Sequence, residues 1–155
     1  MKKSLILLMA IFTIFLANCS KEPNKGAIVD INVKIAYKND MNNDLLVTDI
    51  QNHFSSDSIH VYNVNNRVKV ERFYGNLDNP RLWEVYKDKI TDTNFLIVGV
   101  ETDTTLLELN GRTIDTLTCV IEKSIGNTIL KKVWYNGVLK WGEIYEVPRV
   151  FTIVK

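Results

Sequence analysis

The sequence predicts an all-β protein: a β-sandwich, immunoglobulin-like in general architecture, with about nine or ten short strands and one short helix. Three observations lead there. From residue 27 onward apolar residues recur every second position, not at the ~3.6 of a helix. Two Asn-Gly pairs, Asn110-Gly111 and Asn136-Gly137, stand between alternating apolar runs. Turn-forming residues interrupt the chain at intervals of roughly 8–12 residues, as in sandwiches.

Taken in order, Val29, Ile31, Val33, Ile35 and Tyr37 alternate with Asp30, Asn32, Lys34 and Lys38, which reads as one half-buried strand with a wet face. Residues 44–54 fit a helix better, because Leu46, Ile50 and Phe54 are spaced by four and Asp44 can cap the start. Two shorter strands, 59–64 and 67–73, flank Asn65-Asn66, a pair that tolerates positive φ. The cluster of residues 76–80, closing on Pro80, marks a turn, and 82–86 follows as an edge strand. Residues 95–100 (Phe-Leu-Ile-Val-Gly-Val) are apolar without alternation, as a central strand should be. Asn110-Gly111 then joins 106–109 to 112–122, and Asn136-Gly137 joins 129–135 to 138–141. In this second hairpin a type I′ turn sets Tyr135 opposite Val138 and Trp134 opposite Leu139, with Trp141 diagonal to Trp134 on one face. Residues 149–154 supply the last strand, after Pro148.

Length and composition bound the rest. The chain has 155 residues, enough for one domain, and 46% of them are hydrophobic, an ordinary share for a globular fold. Nineteen basic against eighteen acidic residues give a net charge of +1, without the basic footprint that nucleic acid requires.

Chemistry-bearing motifs are few. Gly-x-Ser-x-Gly, His-Glu-x-x-His, phosphate-cradling glycine loops and Cys-x-x-Cys are all missing. Asp49, His53, Asp57 and His60 carry ligand-like spacing, but the Ser-rich run 55–58 breaks any helix through them, so they read as polar loop and surface groups and no metal or cofactor is assigned. Asp-Thr recurs at 92–93, 103–104 and 115–116; Asp92 and Asp103 read as turn formers and Asp115 as a residue on a wet strand face. Arg67, Lys69, Arg72, Lys131, Lys132 and Lys140 read as solvated strand faces and edge protection. Trp83, Trp134 and Trp141 are the candidate ligand-facing aromatics, to be weighed against the more common use of such rings in packing a core.

The amino terminus is separate in kind. Lys2 and Lys3 precede the apolar run 5–16, whose twelve residues would cover about 18 Å as a helix, well short of a hydrocarbon core of roughly 30 Å. This is the pattern of a cleavable export signal. The run ends in Leu16-Ala17-Asn18-Cys19, which resembles the lipobox of bacterial lipoproteins. Asn18 stands where Gly, Ala or Ser is usual, as the more permissive lipoproteins of Bacteroides-like Gram-negative bacteria allow. The resemblance implies a signal peptide over 1–18, acylation of Cys19 as the new first residue, a polar tether over 19–26 and a folded domain over 27–155. With Cys19 acylated, Cys119 has no intramolecular disulfide partner and its apolar surroundings place it in the core.

The expected protein is therefore a non-enzymatic binding or structural module of the cell envelope, anchored in the outer membrane through acyl chains on Cys19. Its partner would be an envelope protein or a glycan, not a nucleic acid. Two other classes stay open: a glycan-binding accessory of a polysaccharide-uptake system, which needs its aromatics exposed in a row, and a hydrolase working with two carboxylates in a cleft.

Overall fold

The computed structural model describes residues 26–48, 52–111, 113–142 and 148–155. The signal segment 1–18, Cys19, most of the tether, and Asp49 and Ile50 of the expected helix lie outside them. Eleven strands form two mixed sheets packed face to face: β1 (Ile28–Asp30), β2 (Asn32–Lys38), β3 (Ile59–Asn65), β4 (Val68–Glu71), β5 (Trp83–Asp88), β6 (Thr93–Gly99), β7 (Thr104–Leu109), β8 (Thr113–Ser124), β9 (Asn127–Tyr135), β10 (Val138–Gly142) and β11 (Val150–Val154). The all-β sandwich is as the sequence predicts. The larger sheet runs β1-β9-β8-β7-β3-β4, with β10 sharing the β1 edge of β9, and the smaller runs β11-β2-β6-β5. Both are antiparallel except at one edge each, where β1 lies parallel to β9 and β11 parallel to β2.

Alternation builds the core. Val33, Ile35 and Tyr37 of β2 and Leu96 and Val98 of β6 face Val61 of β3, Leu107 of β7, Leu117 and Cys119 of β8 and Val133 of β9 across the sandwich. Burying such aliphatic side chains is worth about 1.5–3 kcal/mol each. Cys119 is buried as expected, and its thiol is pushed up to about 12, first by burial and then by the Asp103 charge.

Five local expectations are corrected. The single strand read over 29–37 is two: the chain leaves the larger sheet after Asp30 and joins the smaller at Asn32, so Val29 is exposed while Val33 is buried. No helix forms at 44–48 or 52–54. Asp44 Oδ1 accepts the Leu46 N–H at 2.9 Å and its Oδ2 accepts both amide groups of Asn94, while Leu45 N donates to Tyr37 O and Phe54 N to Leu45 O. These tertiary bonds use backbone groups that a helix would need. The only helical turn among the described residues is a 3-10 turn at Ser56–Ser58. The β3–β4 turn is Asn66-Arg67, both at positive φ with Asn65 opposite Val68, one residue later than expected. Leu109 pairs with Thr113, so the β7–β8 connection is longer than its Asn-Gly pair.

The fifth correction concerns Trp141. Val138 does pair with Tyr135 and Leu139 with Trp134, but the register then shifts, and Trp141 stands opposite Val133. Lys140 is the surplus residue of a bulge. Trp141 thereby turns into the core beside Val133, while Trp134 points out of the opposite face.

The turns sort to two ends. The β7–β8 and β9–β10 turns, Asn39 after β2 and Lys155 after β11 share one end. The β3–β4 and β8–β9 turns share the other with Gly26, where the described chain begins. Twelve residues of β8 at about 3.4 Å each separate them by roughly 37 Å.

Candidate functional site

The candidate site is a pocket of about 420 Å³ at the Asn39–Lys155 end. Its floor is apolar, made by Leu45, Phe54 and Leu109, and its rim is polar, made by Asn39, Asn52, Asn110, Thr113 and Lys155. This mixture of an apolar bed and a few polar groups is what small-ligand and peptide sites share. Phe54 is held edge-on against Tyr37, with ring centroids 5.4 Å apart at 86°, and the segment carrying it is tied down by the Phe54 N to Leu45 O bond of 2.7 Å. Asn39 shapes its side of the rim by accepting the Met41 and Asn43 N–H groups on Oδ1, at 3.0 and 2.9 Å.

Asn110 joins the two halves of the rim. At φ 52° it makes the β7–β8 turn, donates through Nδ2 to His53 O at 2.9 Å, and accepts the Ser58 hydroxyl on Oδ1. Its role at the turn was legible from the Asn-Gly pair; its clamp on residues 53–58 was not.

Behind Lys155 lies a buried carboxylate. Asp115 is 2% exposed, not on a wet face as the sequence reading had it. Its Oδ1 accepts from Lys155 Nζ at 2.7 Å and from Asn136 Nδ2 at 2.8 Å, while Oδ2 has no hydrogen-bond partner among the described residues. Burial pushes this carboxyl up, but the hydrogen bonds, led by that from Lys155, outweigh it and hold it below the ordinary aspartate value. Beside it Tyr135 donates to Tyr37, both buried, and burial raises both phenols well above their usual range. A signal for Asp115 was present: it precedes Leu117 and Cys119 by two and four, the spacing of one strand face.

A second polar cluster occupies the opposite end. Arg72, expected on a solvated face, is 3% exposed. Its guanidinium donates to Gly99 O, to Asn63 Oδ1 at 2.6 Å and to Thr105 Oγ1 at 3.3 Å, with Nε unpartnered among the described residues. The Tyr74 hydroxyl donates to Glu101 Oε2 at 2.7 Å, and Asn63 Nδ2 lies 3.3 Å from that hydroxyl. Glu101 then borders an open polar cleft of about 540 Å³ shared with Asn65, Asn66, Asp103 and Lys123.

The remaining sequence candidates do not come together. Trp83 and Trp141 belong to the core and sit in different sheets, and Trp134 is half-buried on the outer face of β9, so the three form no exposed row. Trp141, 9% exposed, borders a groove of about 340 Å³ where Arg149 lies over its ring at 4.9 Å and pairs with Asp30. His60 lies on β3 with Nδ1 2.7 Å from Glu71 Oε1, and Asp57 lies in the exposed 3-10 turn. Among the described residues no three His, Cys, Asp or Glu side chains are grouped to hold a metal. Asp92 pairs with Lys87 at 2.8 Å, and the carboxylate that caps its turn is that of Asp88, which accepts the Ile90 N–H at 2.8 Å.

Comparison with protein-family models, with curated proteins and with solved structures finds no match to this chain.

Proposed function

We propose that this protein is a lipid-anchored module of the cell envelope, held in the outer membrane through Cys19, which binds an envelope protein or glycan without transforming it. The observation that carries the reading is an opposition of ends. The described chain starts at Gly26, seven positions after Cys19 (26 − 19 = 7), while the pocket over Leu45, Phe54 and Leu109 lies at the other end of the sandwich. A domain tethered in that way offers its pocket to the surroundings and not to its own bilayer. Two or three acyl chains on one thiol and amine give lasting attachment at about 0.8 kcal/mol per buried methylene. The pocket supports a ligand with an apolar portion and hydrogen-bonding edges, which a polypeptide segment provides. The aromatic platform that a stacking sugar would want is not assembled, so the glycan-accessory reading has less support.

Two measurements test this. Cells grown with an alkyne analogue of palmitate should label the wild-type chain and retain it in the membrane fraction, and Cys19→Ala should lose both properties. A photo-crosslinking residue in place of Thr113, on the rim, should capture a partner in intact cells that the same residue in place of Asn66, at the opposite end, does not. Normal membrane retention of unlabelled Cys19→Ala protein would remove the anchor, and equal capture from both positions would remove the pocket.

A further inference from the structure

The β8–β9 hairpin carries its tip beyond the end of β7, to which the last tie is the 2.8 Å bond from Cys119 N to Asp103 O. That tip carries a large aliphatic residue at its most exposed point, between Ser124 and Gly126. Ile125, the residue before Gly126, is fully exposed, and Ile28 and Val29 are 54% and 67% exposed. Ile28 and Ile125 are neighbours at this tip, since Ile28 N donates to Gly126 O at 2.9 Å; Val29, the next residue of β1, points to the opposite face of the sheet, where it borders a groove with Ile31, Leu82 and Trp83. Single exposed aliphatic residues are ordinary on any protein. Here two, Ile28 and Ile125, come together at a projecting turn with the exposed Lys123 two residues from Ile125. Aliphatic side chains that dip below the headgroups, flanked by a cation that stays among them, are the makings of an interfacial contact.

The chain itself says what covers this patch. The seven positions from Cys19 to Gly26 reach at most about 25 Å when fully extended. They lead into the fold at the hairpin tip and nowhere else. A bilayer holding acyl chains on Cys19 is therefore within reach of Ile125.

We propose that Ile28 and Ile125 make a second contact with the membrane, and that its occupant is the lipid surface that carries the acyl chains of Cys19. The inference rests on the lipid-anchored reading above and adds orientation to it. Acyl chains alone leave a tethered domain free to tumble; a second contact at the hairpin tip holds this end down and directs the Leu45–Phe54–Leu109 pocket outward.

The experiment uses the full acylated chain in vesicles of phosphatidylethanolamine and phosphatidylglycerol, spin-labelled at Ile125→Cys or, at the opposite end, at Met41→Cys. The native Cys119 is buried and its thiol is pushed up to about 12, so it does not compete for label. Collision with oxygen, which partitions into lipid, is compared with collision with a water-soluble nickel chelate. The expected result is a several-fold higher ratio of oxygen to nickel collision at 125 than at 41, falling towards the value at 41 when Ile28 is changed to Ser. Equal ratios on an acylated chain would overturn the second contact and leave the anchor standing. So would a label at 125 shielded from both probes, which would mean a protein covers the patch. A chain that takes up no palmitate on Cys19 would overturn the anchor and this contact with it.

Discussion

Replacing Arg72 with Met tests the account of the buried polar cluster. The two full-strength hydrogen bonds that disappear run from a charged donor to Gly99 O and to Asn63 Oδ1. Bonds of that kind contribute about 1.5–3 kcal/mol each, so the loss is about 3–6 kcal/mol. Against it stands relief: the guanidinium is buried, its Nε has no partner among the described residues, and the nearest compensating charge, Glu101, is engaged with the Tyr74 hydroxyl. Removing a desolvated donor of that sort returns about 1–3 kcal/mol. At the middle of these ranges the expected net destabilisation is about 2–3 kcal/mol. With a urea m value of about 1–3 kcal/mol/M, that moves the unfolding midpoint by roughly 1–2 M, to be followed by fluorescence of the buried Trp83 and Trp141. Arg72→Lys keeps the charge but not the fork and should fall between wild type and Arg72→Met. An Arg72→Met protein as stable as wild type, or more so, would show that the desolvation of this charge outweighs its bonds, and the reasoning would be refuted.

Three further outcomes are expected. Because Asp115 is held below its ordinary value, its contribution to stability is complete above the unfolded-state value of about 3.9 and is lost as the pH falls through the lower folded-state value; Asp115→Asn should lack this acid-limb slope in urea titrations, and Lys155→Met should show a smaller one, at a cost of about 1–3 kcal/mol at neutral pH. Deleting Lys140 should be tolerated within about 1 kcal/mol and leave tryptophan emission blue-shifted, because the surplus residue of the bulge goes and Trp141 keeps its place opposite Val133; a red shift would contradict the register. Native protein should show no thiol reactive towards maleimide at pH 8 and should gain one on unfolding, that of Cys119, whereas an unacylated Cys19 would react at once.

The features legible in the chain are those set by neighbours in sequence. Asn136-Gly137 fixes the start of its hairpin because both residues accept positive φ, at 48° and 79°, and the register of Tyr135 and Trp134 follows. What could not be read depends on distant groups. A bulge adds one residue without any signature in the alternation, so the face of Trp141 was lost at Lys140. The move from one sheet to the other at Ile31 keeps the period of two on both sides and is equally silent. Leu46, Ile50 and Phe54 have helical spacing, but the segment's amides are taken by Tyr37, Asp44 and Leu45. Asp115 was misread because charge was allowed to outweigh period: Asp115, Leu117 and Cys119 occupy alternate positions of one buried strand face, whereas Arg72 follows β4, whose Val68 and Val70 are exposed, so no buried face announced it. The acceptors and donors that make their burial tolerable come from β3, β6, β7, the β9–β10 turn and Lys155, none of them local.

The two parallel edges set a schedule for folding. β1 must wait for β9, with Ile28 beside Asn127, ninety-nine positions later (127 − 28 = 99), and β2 must wait for β11, with Lys34 beside Val150, one hundred and sixteen later (150 − 34 = 116). Partners so far apart are costly to bring together and are joined slowly. A chain delivered from its amino end thus carries β1 with an open hydrogen-bonding edge until Ile129 has emerged and β2 with one until Val154 has, and the closing strand β11 completes the smaller sheet. Truncation by even six residues would remove β11 and Lys155 together, leaving β2 with a bare edge and Asp115 without its cation.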